Sequence, residues 1–187
     1  MKEIINKISE IGVAETDART AKELADQLIE IHRATYENDC VIRFINEKDR
    51  NSLKFNLDTQ SYNIFLAGLN DKVSVVEFPF FDFYSSRPLS RKEKLLSIIF
   101  HEMRHRAQQG GIDLFRPESK MSSVMLKEIL RRMSFMTGGL FWEQMIIYEK
   151  REFDAKFITA VCCSYYRMNC SFSRLSKIIF WEPKKRH

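Results

Sequence analysis

The spacing of apolar residues changes period along this chain, and each change marks an element. From Asp17 to about Tyr36, Leu24, Leu28 and Ile31 recur at helical intervals with Lys, Glu and Asp between them, which predicts an amphipathic helix. His32 stands at the border of that stripe and reads as a boundary side chain. The period then shortens. Val41 to Ile45 reads as a strand. Leu53, Phe55 and Leu57 alternate with polar residues, Asp58-Thr59-Gln60-Ser61 supplies a turn, and Tyr62, Ile64 and Leu66 resume the alternation, so a hairpin is expected. Val73 to Phe78 is a further strand candidate, ended by Pro79. The expected sheet is small, mainly antiparallel, and has three or four strands.

At Ser90 the helical period returns. Ser90-Arg91-Lys92-Glu93 has the Ser-x-x-Glu form of a capping box and an apolar run follows at once, so a helix is expected over 90–109, stopping at Gly110-Gly111. A second helix is predicted from near Pro117 to Gly138-Gly139, and a third from about Phe141 to Asn169. The expected architecture is α+β in one domain over residues 1–187: N-terminal helices in 1–37, the sheet in 40–84, the helix of 90–109, and C-terminal helices in 117–170. No repeat and no low-complexity linker divides it.

Composition narrows the class. The 187 residues include 15 Phe, 6 Tyr and 2 Trp, too many for a chain that cannot collapse. No stretch approaches the ~18–20 apolar residues that cross a bilayer, and the first residues carry no apolar signal region. A soluble, cytoplasmic protein is expected, with no membrane partner. Thirty basic against 25 acidic residues leave a net charge of +5, with the signs mixed except at Arg87–Lys94 and the Lys184–His187 tail. A solvated surface accounts for that excess better than a nucleic-acid partner. The four cysteines form no CxxC pair and read as buried, reduced thiols, with Cys163 and Cys170 on one face if their segment is helical.

The candidate chemistry lies inside the helix opened by Ser90. His101-Glu102-Met103-Arg104-His105 is an H-E-x-x-H motif. Residues i and i+4 project from one helix face a turn apart, so two imidazoles can converge on one ion, while the Glu after the first His reaches toward a water. The chain's own His and Glu frequencies predict roughly 0.01 chance matches. Leu96, Ile99, Phe100, Met103 and Ala107 gather on the arc away from the histidines and predict a buried back to this helix. Catalytic zinc takes three protein ligands. Neither His32 nor His187 carries a motif, so a carboxylate is the better third candidate. Glu149 and Glu152 share a face of the late helix, and Glu152 is preferred because Ala155 keeps that face thin. Arg104 is expected to point away from the metal edge as a salt-bridge partner. Phe78, Phe80, Phe81, Phe83 and Tyr84 are expected to form core beneath the active helix.

The pairing of "IIFHEMRHRAQ" with the later "EKREFDAKF" resembles gluzincin-type metallopeptidases, and in particular small bacterial proteins reading H-E-x-R-H-x-x-Q with a later E-x-D-A. The resemblance covers two short helical patches. It implies a zincin-like fold, zinc held by His101, His105 and Glu152, Glu102 as general base, Asp154 orienting a ligand histidine, and a peptide or protein substrate. A partial likeness to SprT-like proteases lacks their downstream third histidine. Tyr148, Tyr165 and Tyr166 are candidates for the oxyanion partner, and the Val73–Phe78 edge for the substrate strand. The alternative to a zinc peptidase is a catalytically inactive metallopeptidase-like binding or sensor protein with a structural zinc.

Overall fold

The computed structural model describes residues 12–69, 89–111 and 147–180, with the side chains of the last stretch from Lys150 onward. In chain order these form α1 (Glu15–Tyr36), β1 (Val41–Ile45), β2 (Leu53–Asn56), β3 (Ser61–Phe65), α2 (Arg91–Gln109), α3 (Ile147–Arg167) and α4 (Phe172–Ile179). The α+β class is as expected. The strand candidate at 73–78, the aromatic cluster of 78–84, the helix predicted over 117–139 and the first eleven residues lie outside the described residues.

The sheet is mixed rather than mainly antiparallel. Its order is β1-β3-β2, with β2 antiparallel to β3 and β1 parallel to β3. The hairpin of β2 and β3 is the one predicted. Its turn is closed by Gln60, which takes a left-handed φ of 47°. The chain leaving β1 crosses to the far side of β3 before it pairs, so β1 meets β3 in the same direction. Burial follows position. The central strand β3 is covered on both faces, β2 alternates buried Leu53 and Phe55 with exposed Lys54, and β1 is largely open.

Helix α2 is the centre of the molecule, packed against α3, α1, α4 and β2. Its predicted apolar arc is buried throughout, as is the Leu24, Leu28 and Ile31 stripe of α1. His32 is buried as well, a correction to its boundary reading, because the helix packs with polar groups as well as apolar ones at that edge. Helix α3 ends at Arg167, and Asn169 takes φ 58°, so Cys170 leaves the face of Cys163. The short helix α4, which follows the predicted C-terminal helices, was not foreseen as a separate element. It buries Leu175 and Ile179.

The start of α2 forms the expected capping box. The Glu93 amide donates to Ser90 Oγ at 3.3 Å, and the Ser90 amide donates to Glu93 Oε2 at 2.7 Å. The same carboxylate has a second role. Its Oε1 accepts from Arg167 Nε at 2.7 Å, tying the first turn of α2 to the last turn of α3. At the other end α2 stops at Gln109, and Gly111 takes φ +95°, a conformation that side chains resist. No helix among the described residues is long and apolar enough to cross a membrane.

Burial works against ionisation of Glu93, but Arg167 and the Ser90 groups outweigh it and hold the carboxyl at about 2, below its ordinary 4.5. A depressed carboxyl stabilises the fold above its unfolded pKa, and that contribution is lost as pH falls through the folded one. The Glu93→Gln substitution keeps the cap and removes the charge. We expect it to lower the unfolding free energy at pH 7 by about 2–3 kcal/mol. Urea denaturation should show the gap to wild type closing as pH falls from 4.5 toward 2.

Candidate metal centre

His101, Arg104, His105 and Gln108 recur at i, i+3, i+4 and i+7, and this spacing turns all four toward one side of α2. Arg104 therefore does not point away from the histidines. It lies between the helices, fully buried, and donates to both oxygens of the equally buried Asp154 on α3, at 2.6 Å from Nε and 3.1 Å from Nη2. Its Nη1 donates to the Ile179 carbonyl at 2.6 Å, satisfying a helix-end acceptor of α4. One guanidinium thus joins α2, α3 and α4. Ala155, which falls between Glu152 and Asp154 on the helical wheel, is fully buried and lets α3 approach.

Within that frame the two imidazoles meet. His105 Nε2 lies 3.0 Å from His101 Nε2, with the rings perpendicular. Glu152 closes the group, its Oε1 3.2 Å from His105 Nε2 and its Oε2 3.5 Å from His101 Nε2. Around a tetrahedral ion with bonds of ~2.0–2.1 Å, neighbouring ligand atoms are separated by about 3.3 Å, so the three side chains have the spacing of a metal's ligands. Glu102 belongs to the same cluster: one ligand atom each from His101, Glu102 and His105 lie within 4.8 Å of one another, a group that could hold a metal ion. The side chain of Glu149 is outside the described residues.

The chemistry of the donors also suits a cation. Gln108 Nε2 donates to Asp154 Oδ2 at 2.7 Å and to the Arg151 carbonyl at 3.0 Å. Both partners are acceptors, so the amide cannot be turned round, and its oxygen accepts from His105 Nδ1 at 2.9 Å. His105 therefore keeps a proton on Nδ1, and its Nε2 is the nitrogen turned toward Glu152 and His101. Asp154 orients His105 through Gln108 rather than by touching it. The Nδ1 of His101 is buried without a hydrogen-bond partner, so the two rings are held unequally.

The electrostatics agree. Hydrogen bonds from His101 and His105 hold the Glu152 carboxyl far below the usual range. Burial alone would lower His105, yet Glu152, Glu102 and Gln108 raise it above 6.5. The cluster attracts positive charge. Glu102 is the exception: burial pushes its carboxyl up against the opposing pull of both histidines. Its Oε2 also accepts from the Phe55 amide of β2 at 3.2 Å. Among the described strands β2 lies at the edge of the sheet, and its Phe55 N–H is spent on Glu102 rather than on β3. No residue signature advertises such a backbone donor.

Tyr165 and Tyr166 cannot serve this site. They lie on the order of 20 Å beyond Glu152 along α3 at ~1.5 Å per residue, and Tyr166 stacks on Phe172. The side chain of Tyr148 is outside the described residues. Comparison with family models, curated proteins and solved structures finds no match to this chain.

Replacing Arg104 by Met leaves Asp154 facing a side chain that cannot donate. Loss of one partner of a buried ion pair costs about 3–5 kcal/mol, whereas apolar replacement of both restores much of it. Chemical denaturation should show that loss for Arg104→Met and partial recovery in Arg104→Met with Asp154→Leu.

Proposed function

We propose that this chain is a zinc-dependent metallopeptidase of gluzincin type with a zincin-like fold. The observation that carries the reading is the convergence of His101 Nε2, His105 Nε2 and the Glu152 carboxylate at 3.0–3.5 Å, with Glu102 beside them. Two imidazoles and a carboxylate on a helix pair favour zinc among divalent ions. When bound, zinc supplies Lewis acidity at a carbonyl oxygen and lowers the pKa of water toward ~7.

The remaining work falls to the chain's own groups. Glu102 is the general base. Its buried, raised carboxyl suits a residue that takes a proton from the attacking water and returns it to the leaving amine. The Phe55 amide fixes one carboxylate oxygen and leaves the other for the water. Gln108 holds His105 in the tautomer that binds metal, and the Arg104–Asp154 pair holds Gln108. A second reading, a metal-holding binding or sensor protein without turnover, is favoured by one observation. Glu102 is only 7% exposed and already spends an oxygen on Phe55.

Metal analysis of the purified protein should give one zinc per chain, and Glu152→Ala should lose it. Glu102→Gln should keep the zinc and lower peptide hydrolysis by about 10²–10⁴-fold. Hydrolysis surviving that change would overturn the mechanism, while no hydrolysis by the zinc-loaded wild type would favour the second reading. Gln108→Leu should weaken zinc affinity by about 10–100-fold. A proton on His105 excludes the metal, and its pKa is raised, so zinc affinity should begin to fall at a pH already above 6.5 on acidification.

A further inference from the structure

Three arginines among the described residues are not exposed: Arg104, Arg106 and Arg167. Arg104 pairs with Asp154 and Arg167 with Glu93. Arg106 pairs with no carboxylate among the described residues. Glu102 lies one turn back on the same helix, a spacing at which Glu–Arg pairs form, yet it turns to Phe55 and the histidines instead. The guanidinium carbon of Arg106 sits over aromatic faces, 4.0 Å from the ring centre of Tyr36, 4.9 Å from Phe55 and 5.7 Å from Tyr62. Its hydrogen-bond partners are the Nδ1 of His32 at 3.1 Å and the Tyr62 hydroxyl at 3.3 Å, both reached from Nη1.

Neither partner brings negative charge. His32 Nδ1 accepts from the guanidinium, so Nε2 carries the proton and donates to Asn38 Oδ1 at 2.9 Å, and the ring is neutral. Burial pushes Tyr62 far above the ordinary phenol range, so it is neutral too. A half-buried cation is thus held by ring faces and two neutral acceptors, with the N–H groups of Nε and Nη2 unspent. Arg106 also lines a cleft of about 380 Å³, shared with Tyr36, Phe55, Leu57, Gln60 and Phe180. That volume is at the lower end for small-molecule sites, which combine apolar walls with a few polar groups.

We propose that this cleft is a binding site for a small organic acid, a carboxylate joined to an apolar or aromatic body about the size of one amino-acid residue. The carboxylate takes the free edge of Arg106 in the two-pronged geometry that a planar guanidinium offers. The body lies against Tyr36, Phe55 and Phe180. The site is separate from the histidine cluster and does not rest on the metallopeptidase reading.

The test uses the full chain with a chelator present, so the metal centre contributes nothing. N-acetylphenylalanine, its neutral amide and inorganic phosphate are titrated by calorimetry. The acid should bind, and the amide should bind at least about tenfold more weakly, the loss expected for one charge-assisted contact. Arg106→Gln should weaken the acid by a similar factor. Leu57→Trp is the second variant. Leu57 is half exposed at the cleft wall, so a bulky side chain there should fill the cleft and weaken binding without lowering thermal stability. Acid and amide binding alike, acid binding unchanged in a folded Arg106→Gln or in Leu57→Trp, phosphate binding as well as the acid, or no binding at millimolar acid would each overturn the proposal.

Discussion

The structure turns on one buried ion pair. Arg104 and Asp154 are both sealed from solvent, and removing either would leave a buried charge without its counter-ion. Arg104 immediately precedes His105, and Asp154 lies two positions after Glu152. Any slip of α2 along α3 would break the pair as it moved the metal-binding candidates apart. The Ile179 carbonyl extends the same constraint to α4. The apolar arc around Phe100 and Met103 drives α2 into the core, but apolar contact has no direction. The ion pair supplies the register.

That register is passed to the histidines by a neutral amide. Gln108 touches Asp154 with its nitrogen and His105 with its oxygen. A charged pair that stabilises helix packing therefore also decides which ring nitrogen of His105 faces the acid of α3. Further round α2, next to the histidines, Glu102 and Arg106 reach β2, and Phe55 serves both: its amide holds Glu102 and its ring packs under Arg106. The helix carries two chemistries on two faces, one anionic and histidine-rich, the other cationic and aromatic.

Much of this is written locally in the residues. The Ser90–Glu93 box starts α2 where expected, the alternation from Leu53 to Leu66 makes the hairpin, and i, i+4 spacing brings the histidines together. Ala155 marks a close helix approach, and Glu152 lies opposite the rings. What was not legible depends on partners distant in sequence. Alternation tells which residues of β1 are apolar, not which strand lies beside it or in which direction, so the parallel pairing with β3 was missed. Glu93 looks like a cap and nothing more until Arg167 arrives from another helix. Arg106 draws its rings from α1, β2 and β3, and no single stretch shows that assembly. Arg104 was expected to be a salt-bridge partner and is one, but its acid comes from α3, some fifty residues on, and that acid lets it lie beside the histidines rather than away from them.

The triangular role of Arg104 has a consequence for biosynthesis. A nascent chain that has emerged only through α2 already contains both histidines and Glu102, but has neither Asp154 nor the Ile179 carbonyl. Docking α2 at that stage would bury the guanidinium without the carboxylate and the carbonyl that hold it in the folded protein, which disfavours docking before α3 and α4 follow. The two imidazoles are paired by their own helix, and Glu152 can join them only once α3 has been made.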